Sequence, residues 1–171
     1  PRTMHRLLGV LADAVAEYLT RQFAAGADAI QIFDSWAGAL QGPDYEEFSL
    51  RYIRAVLERL PAGAPVILYA KGKSPQAAAL AATGVPCLGV DWTLPLSHVR
   101  RLAGRPLCLQ GNLDPEFMVG EPAAAHAAAM EVLADNAGDP GHVFNLGHGI
   151  TPQARIESFQ AVLDAVVASG V

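Results

Sequence analysis

Cysteine is scarce in this chain: two in 171 residues. Cys87 and Cys108 both lie in apolar, strand-like runs, so a disulfide-stapled scaffold is excluded. With no C-x-x-C and no Cys/His cluster at ligand spacing, there is no structural zinc motif either. The expected state of the pair is two buried thiols in a reduced cytosolic enzyme. Charge is thin at 17% of residues and aromatics are 7%. The net charge of −5 and pI of about 5.4 exclude nucleic acid and an anionic membrane surface as partners. No apolar run approaches the roughly 20 residues that span a bilayer, and the start has no signal-peptide layout, so a cytoplasmic location is expected. There is no glycine-rich phosphate loop. The first residue is Pro1 rather than Met, as in a trimmed chain or a piece of a longer one.

What is present is a globular composition, 51% hydrophobic with mean hydropathy +0.24, and enough length to bury a core. Residues 4–25 predict a helix, with Leu7, Leu8, Leu11, Ala14, Val15, Tyr18, Leu19 and Phe23 on one apolar face and Gly26 as its stop. A strand over 29–33 ends in Asp34 and Ser35, and a helix over 44–60 follows, with acids in its first turn, where the helix dipole favours them. Strand 66–70 ends in the loop Lys71-Gly-Lys-Ser74, and Ser74 with Pro75 predicts the cap of a short helix to Ala82. Strand 87–90 ends in Asp91-Trp92-Thr93 and precedes helix 95–103. Strand 107–110 ends in Gly111-Asn112-Leu113-Asp114 and precedes helix 123–136. Strand 143–146 ends in Gly147-His148-Gly149, and Thr151-Pro152 predicts the cap of the last helix, to Ala168.

The order is thus one helix followed by five βα units, with no composition shift that would divide residues 1–171 into more than one domain. Short apolar strands alternating with helices predict a parallel sheet buried on both faces. Five units are too few for a complete eight-stranded barrel, and pattern alone favours a flavodoxin-like doubly wound sheet. In either case, polar residues at the carboxyl ends of the strands are the place to look for chemistry.

Four segments reverse that preference: Ala29-Ile-Gln-Ile-Phe-Asp-Ser-Trp-Ala-Gly38, Gly89-Val-Asp-Trp-Thr93, Leu109-Gln-Gly-Asn-Leu-Asp-Pro115 and Asn145-Leu-Gly-His-Gly-Ile150. In residues, order and spacing they resemble the carboxyl-terminal half of the uroporphyrinogen decarboxylase family. The resemblance implies an α/β fold that is a partial (β/α)8 TIM barrel, with five parallel strands corresponding to strands four to eight. It implies a homodimeric, cofactor-independent carboxy-lyase of porphyrin (haem) biosynthesis. Such an enzyme converts the four acetates of uroporphyrinogen III to methyls, giving coproporphyrinogen III and four CO2. The pyrrole ring is itself the electron sink, so no metal or organic cofactor is implied.

The resemblance also implies that Ser35 and His148 line the cleft and touch substrate. A serine hydroxyl can donate to a carboxylate, and a histidine can donate or transfer a proton near neutral pH. By motif alone, Ser35 reads as a turn or helix cap and His148 as a turn residue. Asp34, Asp91, Asn112 and Asp114 read as carboxylates or amides bonded to loop backbone, Lys71 and Lys73 as solvated or carboxylate-attracting cations, and Trp36 and Trp92 as packing residues. His5, His98, His126 and His142 read as surface or structural. The family's pyrrole-binding aspartate, its nearby tyrosine and its carboxylate-binding arginines come from the amino-terminal half, and no matching segment is in this sequence. The chain is therefore expected to be inactive alone, and to self-associate or pair with an amino-terminal half through its two sheet edges. Two alternatives are a corrinoid-dependent methyltransferase of the same superfamily and a non-catalytic doubly wound binding domain.

Overall fold

The computed structural model describes residues 2–139 and 141–170. Five strands, β1 (Ile30–Asp34), β2 (Val66–Ala70), β3 (Cys87–Gly89), β4 (Cys108–Leu113) and β5 (His142–Leu146), form one sheet in the order β1-β2-β3-β4-β5. Every pairing is parallel. The helices are α1 (Arg2–Ala24), α2 (Pro43–Tyr45), α3 (Arg51–Leu57), α4 (Ala77–Ala81), α5 (Leu96–Ala103), α6 (Pro122–Asp135) and α7 (Ile156–Ala168). Spatial order therefore equals chain order. A doubly wound sheet needs a point where the order reverses. Crossovers of one hand that all step the same way keep the helices on one face, as in a (β/α)8 barrel. The flavodoxin-like preference is corrected on this ground, and the partial-barrel architecture stands, with β1 and β5 as the sheet edges.

Alternation along the strands decides which side chains go where. Ile30, Ile32, Val66, Leu68, Ala70, Leu88 and Leu109 belong to one apolar cluster with the helices. Leu68 and Leu109 are fully buried, each stabilising by about 1.5–3 kcal/mol relative to exposure. A second cluster joins Leu113 and Met118 to Ala125, Ala129, Val162 and Ala165, where the small residues let α6 and α7 approach closely. The strand register puts Phe33, Tyr69, Gly89, Gln110 and Val143 in one row across the opposite face. That face is not uniformly buried: Phe33 and Val143, on the edge strands, are exposed. The expectation of a sheet buried on both faces holds for the inner strands β2, β3 and the end of β4, and fails at the edge strands β1 and β5.

Four further local expectations change. The predicted face of α1 splits: Leu19 is buried with Ala12 and Ala16, while Leu7 stays exposed, as do Leu11, Val15 and Tyr18 beside Phe33 and Trp36. The second helix is interrupted by a π turn, Glu46–Leu50, which lets Tyr45 and Leu50, five residues apart, both be buried. β4 continues to Leu113, past the predicted end, because Asn112 and Leu113 pair with Asn145 and Leu146. Neither predicted cap acts as one: Ser74 donates to Asp91 (2.9 Å), and α7 begins only at Ile156, with Arg155 at its N-cap.

Candidate active site at the carboxyl ends of the strands

Because the strands are parallel, all five carboxyl ends open on one side of the sheet. Two loops there, after the first and last strands, bring Ser35 and His148 to a single cavity of about 340 Å3, lined also by Gln31, Phe33, Tyr69, Val90, Gln110 and Asn145.

His148 is held from several directions. The Gly149 N–H donates to its Nδ1 (2.7 Å), so the neutral ring carries its proton on Nε2 as a donor. Its ring meets Tyr69 edge-on at 6.2 Å and Trp92 at 6.5 Å between centroids. The Tyr69 hydroxyl, reaching up from β2, donates to the Gly147 carbonyl (2.7 Å). Burial, with the Asp91 charge second, pushes the Tyr69 pKa up to about 12, which keeps this hydroxyl a donor across the neutral range. Two glycines make the arrangement possible. A Cβ on Gly89, the register partner of Tyr69, would sit 2.9 Å from the Tyr69 Cβ, and one on Gly147 would sit 2.7 Å from the Trp92 amide nitrogen. Ser35 stands exposed at the rim, directly after the edge strand β1.

The other candidates separate into structure and rim. Asp34 accepts from the Ser49 hydroxyl, a side chain rather than the expected loop N–H. Asp91, 1% exposed, accepts from the Gly72 N–H (2.5 Å), the Ser74 hydroxyl (2.9 Å), the Thr93 N–H (3.1 Å) and the Thr93 hydroxyl. Its loop-structuring role holds. Asn112 donates to the Asp91 and Leu94 carbonyls (3.0 and 2.7 Å), and Asp114 accepts from the Glu116 N–H (3.0 Å). Lys71 is half-buried, 5.9 Å from the Trp92 ring. Lys73 is not solvated: at 1% exposure it donates to the Leu40 carbonyl (2.6 Å) and lies over the Tyr45 ring (4.3 Å). Burial lowers its pKa, with Asp34 opposing. The phenol of Tyr45 is pushed up to about 12 by burial and then by Asp34. Trp36 is 83% exposed, so the packing role expected of it fails. His5 bonds to Tyr52 and Glu47, and His142 to the Gly111 carbonyl, so both are structural.

Sequence reasoning missed Gln31, Tyr69 and Gln110 as cavity residues. The signal was there: each is a polar-tipped residue between apolar neighbours in a strand whose other face is core. Cys87 and Cys108 are register partners on β3 and β4, with free thiols. Among the described residues, no group of three or more His, Cys, Asp or Glu is placed to hold a metal ion, and no helix is long and apolar enough to cross a membrane.

Compared with known families, residues 1–168 match the model described as "Uroporphyrinogen decarboxylase (URO-D)". This chain belongs to the uroporphyrinogen decarboxylase family. Curated proteins named uroporphyrinogen decarboxylase are similar to it: one from Ralstonia pickettii is 47% identical over 97% of this chain and 47% of its own length. One from Hahella chejuensis is 44% identical over 97% of this chain and 48% of its own length, and one from Tolumonas auensis is 42% identical with the same coverages. The chain thus spans about half the length of the curated family members it matches. Among solved structures, a methyltransferase from Methanosarcina mazei has the same fold over 94% of this chain and 48% of its own, with a TM-score of 0.79 at 23% identity. That similarity concerns fold alone.

Proposed function

We propose that residues 1–171 are a single domain, the carboxyl-terminal half of a uroporphyrinogen decarboxylase barrel, and that Ser35 and His148 serve its active site. The observation that carries this reading is the shared cavity: two hydrogen-bonding side chains from opposite edges of the sheet meet at the carboxyl ends of its strands, in a member of the family. The reaction replaces the carboxylate of each acetate with a proton. A proton adds to the ring carbon beside the side chain, and the bond to the carboxyl carbon breaks. CO2 leaves, its electron pair flows into the protonated ring, and reprotonation of the former acetate carbon gives a methyl as the ring proton departs. Ser35 donates its hydroxyl to a substrate carboxylate. His148, with Nδ1 engaged by Gly149, presents Nε2–H to the substrate as a hydrogen-bond donor that orients a carboxylate and stabilises the charge developing beside it. The work is positioning and charge stabilisation. No cofactor takes part, and the complete enzyme is a cytoplasmic homodimer acting on uroporphyrinogen III.

The amino-terminal half is the partner this half requires. β1 and β5 each have one unpaired edge within the described sheet, an invitation to a further strand. Beside β1 an apolar groove runs between α1 and α3, lined by Leu11, Val15, Phe33, Trp36 and Phe48. Beside β5 a second groove is lined by Phe144, Phe159, Leu163 and Val166. The test is to assay coproporphyrinogen and CO2 formation by the 171-residue chain alone and after addition of a family amino-terminal half. No turnover alone and turnover on mixing are expected. Robust activity of the isolated monomer, or none on mixing although a stoichiometric complex forms, refutes the proposal.

A further inference from the structure

Every loop that frames the cavity is tied, directly or through one neighbour, to one residue, Asp91: its buried carboxylate takes the loops after β2 and β3, and its backbone takes the end of β4 and the loop after β5. Asp91 accepts from Gly72 N–H and Ser74 Oγ of the loop after β2, and from Thr93 N–H and Oγ1 of its own loop after β3. Its carbonyl accepts from Asn112 Nδ2, near the end of β4. The loop after β5 lies on the same backbone: a Cβ on Gly147 would meet the Trp92 amide at 2.7 Å and the Asp91 carbonyl carbon at 3.2 Å. The loop after β1 is reached through Lys73. Its backbone lies between Gly72 and Ser74, both bonded to Asp91, and its amine holds the Leu40 carbonyl at 2.6 Å. Gly38, also in the β1 loop, packs against Gly72.

We propose that Asp91 is a positioning residue: it sets the mutual placement of Ser35 and His148 without touching substrate. A carboxylate suits the task because it accepts several hydrogen bonds at once and, when ionised, donates none. Four donors from two loops converge on it, and the charge-assisted bonds make that convergence stiff. An amide of the same shape presents an N–H2 on one side and repels the donor there. The proposal rests on the reading of Ser35 and His148 given above, because without that reading there is nothing for Asp91 to position.

The experiment uses Asp91→Asn in the full chain, with Thr93→Val, which removes one donor and keeps the shape, as a milder second variant should the first fail to fold. In the chain alone, NMR follows the His148 ring resonances and the Gly72 and Thr93 amides. In the reassembled enzyme, kcat is measured per folded molecule. The expected result is a shift or broadening of the His148 signals, and a loss in kcat of up to about 100-fold, the scale of an ångström-sized misplacement, with KM within about threefold. In a Ser35→Ala/His148→Ala background, Asp91→Asn then adds less than about twofold, since a residue acting through these two has nothing left to act on. Unmoved His148 signals, or a full multiplicative loss in that background, overturns the proposal. If the unsubstituted assembly has no activity, the functional reading has failed, and the His148 signals alone decide whether Asp91 positions that loop.

Discussion

Tyr69→Phe isolates one hydrogen bond at the centre of the site and predicts a pH signature along with a stability change. The substitution keeps the ring that packs on His148 and removes only the hydroxyl that donates to the Gly147 carbonyl at 2.7 Å. Leaving an acceptor without its partner costs about 1–2 kcal/mol at pH 8, or roughly 2–8 °C in melting temperature for a chain of this size. The pH dependence follows from the raised phenol. With an unfolded value of 10.0 and a folded value of about 12, the folded state keeps its proton where the unfolded chain has lost it. The contribution is therefore complete below pH 10 and is lost as pH rises towards 12. Integrating the linkage relation between these values gives a loss of about 1.4 kcal/mol at pH 11, enough to cancel most of the advantage seen at pH 8. Urea unfolding of both proteins at pH 8 and 11 measures it directly: the gap closes at the higher pH. A gap that is absent at pH 8, or that stays the same at pH 11, refutes the reasoning.

Three further outcomes are expected. In the reassembled enzyme, His148→Ala and Ser35→Ala each slow decarboxylation with partly decarboxylated intermediates accumulating, His148→Ala by roughly 100- to 10,000-fold, while circular dichroism stays unchanged; loss of the folded state contradicts the assigned roles. Gly147→Ala drives a methyl into the Trp92 backbone and costs about 1–3 kcal/mol of overpacking; displaced His148 NMR signals check it. Because burial holds the Lys73 pKa below its ordinary 10.5, protonating Lys73 opposes folding. Its share of stability therefore rises with pH from the folded value up to 10.5, and in Lys73→Met this rise is gone, as unfolding curves across that range report.

The residues of Val66–Ala70 announce their own strand, and the polar steps after each apolar run mark where the strands end. Those features depend on near neighbours along the chain, so periodicity and turn chemistry reveal them. The family resemblance likewise needs only residue types in order, and it brought Ser35 and His148 forward together. Lys73 shows where such reading stops. Beside Gly72 and Ser74 it has the local pattern of a solvated loop, yet it is buried because Leu40 and Tyr45, far away in sequence, supply a carbonyl and a ring. Asn112 read as loop because its partners, the Asp91 carbonyl in the loop after β3 and the β5 backbone, come from other parts of the chain. The apolar face of α1 was visible as a stripe, but which half of it would be buried depended on where β1 and α3 lie. Strand order is the clearest division. Five βα units are compatible with a reversing sheet or a sequential one, because the crossover pattern leaves no local trace. Only the pairing of β1 with β2, and so on to β5, put Ser35 and His148 on one cavity, since sheet neighbours are selected by packing between segments that the chain itself keeps apart.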